Sequence, residues 1–330
     1  MSLPSKDDWI LKVFAERVTS SGAKPRTSCP KIFVVFCPLF RSDSWYATQT
    51  DIMTPSLEIN PDAARILNTD SGKLPEFFYS AVQEHSRILS QHRDRVLKDA
   101  PESAVTVTRV PGFPKVCVKE FRWRGPVHAL KGLFRRTQGL RAFCNGQLLQ
   151  DRGIAAAQPL ALIRHRHRGL IRVEWIIMEV IPAALELDRH ILKRIQNNWT
   201  RAERNRLVRS LARVIGQMHS KGIFHSDLKT CNILVREDSD PGFSLVDYDD
   251  ITVTHTVPRK RRIKNLVQIF LSTPIAMNAP DRMRFMREYA LHAGIDPHER
   301  REMTREILTS ARGRDILYVG FNGDIVEKWA

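Results

Sequence analysis

His225-Ser226-Asp227-Leu228-Lys229-Thr230-Cys231-Asn232 sets a carboxylate and a carboxamide five positions apart. Fifteen residues beyond the amide, Val246-Asp247-Tyr248-Asp249 closes a short apolar run. These residue types are the ones needed to move a phosphoryl group. Asp227 can orient an acceptor hydroxyl and take its proton. Lys229, two residues on, can meet a γ-phosphate as a point charge. Asn232 and Asp247 offer hard oxygens to Mg²⁺, a cation that keeps waters and bridges phosphates. Order and spacing together predict an ATP-dependent phosphotransferase with an alcohol group as acceptor, with ATP and Mg²⁺ as cofactors. His225 is expected to brace the loop by hydrogen bonding rather than to act as a base.

Such a loop must be held by regular elements, and the flanking chain predicts them. Thr200 with Glu203 three residues later reads as a capping box, and Leu207, Leu211, Ile215 and Met218 then share one helix face. Gly222 stands just past the end of that helix, where a left-handed residue is favoured. After the loop, 233–235 and 243–246 read as a hairpin, and 263–271, 281–292 and 300–311 as helices. The tail carries a Gly320–Gly323 turn between apolar runs.

Upstream, the β-branched run 104–110, the turn Pro111-Gly112-Phe113-Pro114 and the alternating run 115–121 read as two strands and their connection. Residues 129–150 read as mostly helical, and 160–163 and 173–180 as strands ended by Pro182. Lys119 lies mid-strand, where a lysine turned into a cleft could pair nucleotide phosphates. The expected class is α+β: a sheet-rich lobe over residues 101–182 and a helical lobe over 183–330, behind an extension of unassigned role over 1–100. Within that extension, 8–18 and 74–96 read as helices, 32–40 as a buried strand and 41–75 as loops.

The chain has 330 residues, 42% of them hydrophobic, enough for a large core, and no apolar run approaches the ~20 residues that span a bilayer. The N-terminal segment, which carries Asp7, Asp8 and Glu16 and no long apolar core, does not read as a signal peptide, and five scattered cysteines without a CxxC pair read as free thiols. A cytoplasmic protein is expected. The net charge is +16, and the stretch from Phe121 to Val173 holds eleven Arg or Lys against Asp151 alone. A second basic run, Arg259-Lys260-Arg261-Arg262, follows the Asp247 segment. Charge so concentrated attracts polyanions, with an anionic membrane surface expected ahead of nucleic acid.

Taken together, Val118-Lys119, Arg141-Ala142 with Gly153-Ile154, the loop through Val235, Leu245 to Asp249, Lys264-Asn265-Leu266 and Arg284 to Tyr289 resemble one family. It is the lipopolysaccharide core kinases of Gram-negative bacteria, which phosphorylate heptose or Kdo sugars. The resemblance runs roughly from Val105 to Gly294. It implies a protein-kinase-like two-lobe fold, catalytic Asp227 and Lys229, metal ligands Asn232 and Asp247, and a nucleotide site at Lys119, Asn145, Met178 and Val180. It also implies a lipid-linked glycan as substrate and work at the cytoplasmic face of the inner membrane. Two features depart from the pattern. Asn145 stands where a glutamate should brace Lys119, and only Gly112, between two prolines, marks a phosphate-side turn. About a dozen residues separate Asp247 from Arg259, too few for a peptide platform, which favours a sugar hydroxyl over a protein side chain. The alternatives are a compact protein Ser/Thr kinase, an aminoglycoside-type phosphotransferase, or a pseudokinase that binds membrane or polyanion.

Overall fold

The computed structural model describes residues 33–36, 55–92, 95–122, 125, 136–167, 169–236 and 241–328. Lys31–Ala330 form one unit, and the elements below belong to it. Its first part is a seven-stranded antiparallel sheet of β1 (Phe33–Phe36), β2 (Ser56–Ile59), β3 (Val96–Ala100), β4 (Ser103–Thr108), β5 (Val116–Phe121), β6 (Pro159–His167) and β7 (Leu170–Glu179). The spatial order is β1-β2-β6-β7-β5-β4-β3. Among the described residues, three α-helices accompany it: α1 (Ala63–Leu67), α2 (Leu74–Gln91) and α3 (Gln138–Asp151).

Alternation along β5 decides what each face of the sheet does. Val116 and Val118 point to one side, into a core with Phe77, Phe78 and Val82 of α2 and Ile177 of β7. Phe121 points to the other side, into a smaller core with Ala142 and Phe143 of α3, Leu162 and Ile176. Lys119, two residues before Phe121, therefore shares the α3 face, and its ammonium lies 4.9 Å from the Phe121 ring centre. The fold thus buries one face of the strand under α2 and keeps the other for chemistry.

Residues set apart as an extension are woven into this sheet. β2 pairs with β6 from Ser56 opposite Arg164 to Ile59 opposite Ala161, and β3 forms the far edge. The segment 41–75, expected as loops, contains β2 and α1, because elements of four and five residues leave too little periodicity to read. The helix expected over 129–150 begins at Gln138 among the described residues, with Thr137 accepting a hydrogen bond from Leu140 N as its cap. The helix expected over 8–18 lies outside the described residues.

The second part is mainly helical. It comprises β8 (Ala184–Glu186), α4 (Leu187–Gln196), α5 (Arg201–Ser220), β9 (Ile223–His225), β10 (Ile233–Arg236), β11 (Gly242–Leu245), β12 (Ile251–Val253), α6 (Arg259–Ser272), α7 (Ala279–Ala293), α8 (Pro297–Ala311), β13 (Asp315–Gly320) and β14 (Gly323–Lys328). The capping box at Thr200 and Glu203 is formed. Gly222 has φ +76°, and a Cβ there would collide with the Thr254 carbonyl oxygen, so a glycine is required where α5 turns into β9. A large core of α5, α6, α7 and α8 side chains underlies the loop that follows β9.

Candidate active site

Residues 225–232 leave β9 and are fixed from below by α6. Asn265 donates to His225 O, and Gln268 donates to Ser226 O at 2.9 Å while accepting from Leu228 N at 3.3 Å. Ser272 Oγ accepts from Thr230 N at 3.0 Å. Asn265 is in turn held by buried His219, which also meets the Tyr289 hydroxyl at 2.8 Å. Burial pushes the His219 imidazole down to about 4, so it is a neutral part of this network. His225 is buried too, with its pKa lowered by burial; its Nε2 faces Val246 O at 3.3 Å and its Nδ1 accepts from Asp227 N. It is a brace, as its type and place suggested.

The loop presents Asp227 and Lys229 at the surface, with Lys229 Nζ 3.0 Å from Asp227 Oδ1. Asn232 Nδ2 donates to Asp227 O at 2.9 Å and stands 3.5 Å from Asp227 Oδ2. Asn232 thereby ties the two ends of the loop together. Its own peptide oxygen accepts from Val246 N at 3.0 Å, which sets Asp247 beside it. Asp247 is left-handed at φ 57°, an uncommon conformation for a non-glycine residue and of the kind that concentrates at functional sites.

Lys119 closes the constellation from the sheet. Its ammonium contacts Asp247 Oδ1 directly and lies 3.9 Å from Asp249 Oδ1. Burial would raise the Asp247 carboxyl, but the charge and hydrogen bond of Lys119, with smaller help from Lys98 and Asp249, together outweigh it and hold the group below the ordinary carboxylate range. Asp249 goes the other way, raised by burial with the Asp247 charge added. Two neighbouring carboxylates with opposed shifts around one ammonium mark a site tuned for charge.

The structure answers the missing glutamate and corrects the role expected for Asn145. Asn145 is not bonded to Lys119. Its amide donates to Tyr248 O at 2.9 Å and Asp249 O at 3.3 Å. Arg141 Nε donates to Asp249 O at 3.1 Å, and Gln138 donates to Asp249 Oδ2 at 2.8 Å. Positions 138, 141 and 145 share one face of α3. That helix therefore grips the Tyr248–Asp249 turn, and Asp249 supplies Lys119 with the second carboxylate that the helix lacks. Asn145→Asp is expected to lower stability by about 1–3 kcal/mol, because a carboxylate cannot donate to Tyr248 O, which loses this donor, and sets a negative charge against both carbonyls. Thermal melting of the variant checks this; an unchanged midpoint would remove the turn from Asn145's role.

A second correction concerns Gly112. The Gly112 turn joins β4 to β5 at the end of β5 that pairs Val116 with Glu179. Phe113 there stacks on Phe77 of α2 at 4.3 Å, on the sheet face away from Lys119. The turn nearer the Lys119 end of the strand is the β3–β4 connection at Pro101-Glu102, where Glu102 O accepts from Arg122 N. It contains no glycine. Lys98 of β3 lies opposite Val105, and Val105 opposite Lys119, so both lysines sit in one register row. Sequence reading missed Lys98, Asp249 and Gln138; the doubled acid of Asp247-Tyr248-Asp249 was the signal available for one of them.

Met178 lies opposite Cys117 in register and 3.5 Å from the buried Tyr248 hydroxyl. Val180 follows β7 and is half-buried. Burial raises the Cys117 thiol to about 12, so it is a neutral lining group. Asp247 and Asn232 offer the oxygens that Mg²⁺ takes alongside nucleotide phosphates. Among the described residues, no cluster of three or more His, Cys, Asp or Glu forms a closed metal cage.

The basic stretch is not a single surface. Arg122 pairs with Asp99 and Glu120 at 2.8 Å each, and Arg164 pairs with Glu58. Arg141 and Arg152 bond backbone carbonyls. Arg141 thus belongs to the site's framework rather than to a membrane face. Arg124, Lys131, Arg135 and Arg168 lie outside the described residues.

A sheet-rich lobe and a helical lobe meeting at this constellation define a protein-kinase-like fold. The chain aligns with a solved structure of WaaP in complex with acyl carrier protein at TM-score 0.52 and 19% identity, over 77% of this chain and 97% of that one. The model of the lipopolysaccharide kinase (Kdo/WaaP) family matches residues 124–289, and the chain belongs to that family. The lipopolysaccharide core heptose(I) kinase WaaP of Escherichia coli is 24% identical over 147 residues, 43% of this chain and 56% of that protein. The enzyme of the same name from Pseudomonas aeruginosa is 30% identical over 89 residues, 25% of this chain and 33% of that protein. The chain therefore spans about half the length of the first of these relatives and a third of the second.

Proposed function

We propose that this protein is an ATP-dependent kinase that phosphorylates a sugar hydroxyl of a lipopolysaccharide core or a related lipid-linked glycan. The observation that carries the reading is the convergence of Asp227, Lys229 and Asn232 on one loop with Asp247 and Lys119 across from it. Asp227 orients the acceptor hydroxyl and takes its proton, and its partner Lys229 stands where it can steady the transferred phosphoryl group. Lys119 holds the nucleotide phosphates, positioned by Asp247 and Asp249. Lys98 adds a second cation in the same row, beside a turn that lacks the glycines of a phosphate-gripping loop. Asn232 and Asp247 would hold Mg²⁺, which supplies charge neutralisation between the phosphates. Met178, Val180 and Cys117 line the base end of the nucleotide site.

We draw the lobe boundary near Pro182, a reading supported by the pairing of β8 with β10. No helix among the described residues is long and apolar enough to cross a membrane. A peripheral position at the cytoplasmic face of the inner membrane accords with a lipid-linked substrate. Transfer from γ-labelled ATP to purified lipopolysaccharide, deep-core glycans and a generic protein, run side by side, tests the reading. Labelling of the glycan acceptors alone is expected, and labelling of the protein alone would overturn it.

A further inference from the structure

Between α7 and α8 lies an open cavity of about 470 Å³, lined by Arg284, Arg287, Arg300, Arg301, Arg305 and Thr304 among others, with no acidic residue in its wall. That volume lies within the range of about 300–1,000 Å³ typical of ligand sites. Only Arg284 has a carboxylate partner among the described residues, Asp281 at 3.0 Å. Two of the acids nearby are engaged elsewhere: Glu288 with His292 at 3.2 Å, and Glu306 with Arg259 at 2.9 Å. Four guanidinium groups thus face one opening without compensation, an arrangement that repels itself unless an anion enters. Guanidinium forks match phosphate oxygens two at a time.

The surroundings say which phosphate. On α7, Met283, Arg287 and Leu291 follow at four-residue steps, so they share a face; Met283 is 53% exposed and Leu291 72%. On α8, Arg301, Arg305 and Leu308 follow at steps of four and three and also share a face, with Leu308 44% exposed. Cations beside exposed long apolar side chains suit a charged headgroup with acyl chains next to it. A free sugar phosphate or nucleotide would leave those apolar groups in water.

We propose that this α7–α8 cavity binds the phosphate headgroup of an anionic lipid and seats the helical lobe on a bilayer. It does not depend on the phosphotransfer reading, because no residue of the cavity belongs to the Lys119–Asp227–Asp247 site.

The test is sedimentation of the full chain with phosphatidylcholine vesicles containing a minority of phosphatidic acid. Replacing Arg287, Arg301 and Arg305 by Gln should weaken binding on the order of a hundredfold, since each cation near such a surface contributes roughly fivefold. Replacing Arg206, Arg209 and Arg213 by Gln removes the same charge from the exposed side of α5 and should change it only a few-fold. Thermal melting of both variants checks that they fold. Equal losses in the two variants would make the attraction diffuse and overturn the site, as would an unchanged affinity in the first. Saturable binding of inorganic pyrophosphate, lost in the first variant while vesicle binding survives, would make the cavity a site for soluble phosphate and overturn the lipid assignment.

Discussion

Asp227→Ala is expected to cut phosphoryl transfer by about a thousandfold while leaving melting temperature and nucleotide affinity nearly unchanged; positioned acid–base groups contribute about 10²–10⁴-fold. The loop would keep its shape. Its restraints are backbone bonds to Asn232, Gln268, Asn265 and Ser272, and none of those uses the Asp227 carboxylate. The carboxylate itself is about half exposed, so its removal leaves no buried hole. What it leaves is Lys229 without its 3.0 Å partner, and that lysine would still meet the phosphate. The loss should therefore fall on kcat rather than on the KM for ATP. Single-turnover transfer to a glycan acceptor, with ATP binding measured by calorimetry, separates the two. Turnover within a few-fold of wild type would end the assignment of Asp227.

The site was legible where chemistry follows local sequence. Asp227, Lys229, Asn232 and Asp247 lie on one loop and one strand end, and their spacing alone placed them together. Lys119 was legible as a lysine in an alternating strand. What the sequence could not show was which groups meet across the lobes. Asn145 looked like a poor glutamate because its neighbours on α3 were read against Lys119. In the structure that helix faces the Tyr248–Asp249 backbone, more than one hundred residues away in the chain. Gly112 looked like the phosphate turn because glycine is the usual signal, yet register puts it beside α2. The charge stretch failed for a similar reason. A strand sends alternate side chains to opposite faces, and carboxylates from β2 and β3 reach in to pair Arg164 and Arg122. Charge summed along the chain is then not charge gathered on a surface.

Lys119→Met is expected to abolish transfer and, separately, to destabilise the protein in a way that depends on pH. The Lys119 side chain is 13% exposed and that of Asp247 36%. Breaking a fully buried pair costs about 3–5 kcal/mol; with one partner a third exposed, solvent offsets part of it, and about 1–3 kcal/mol is expected at neutral pH. The sign of the pH dependence follows from the two carboxylates. Asp247 is held below its unfolded value, so it contributes stability above about pH 3.9 that is lost as pH falls through its folded value. Asp249 is raised, so its charged form costs stability, and that cost sets in as pH rises through its folded value. Removing Lys119 takes away the support of the first and deepens the cost of the second. Below the carboxylate range both are protonated and the loss is small; by neutral pH both effects are complete. The melting gap between wild type and variant should therefore widen as pH rises from about 4 to about 7. Melting curves at the two ends of that range decide it. A gap of the same size at both would mean that Lys119 stabilises the lobe only by packing its stem on Phe121, and the three-charge cluster would lose its claim to the site.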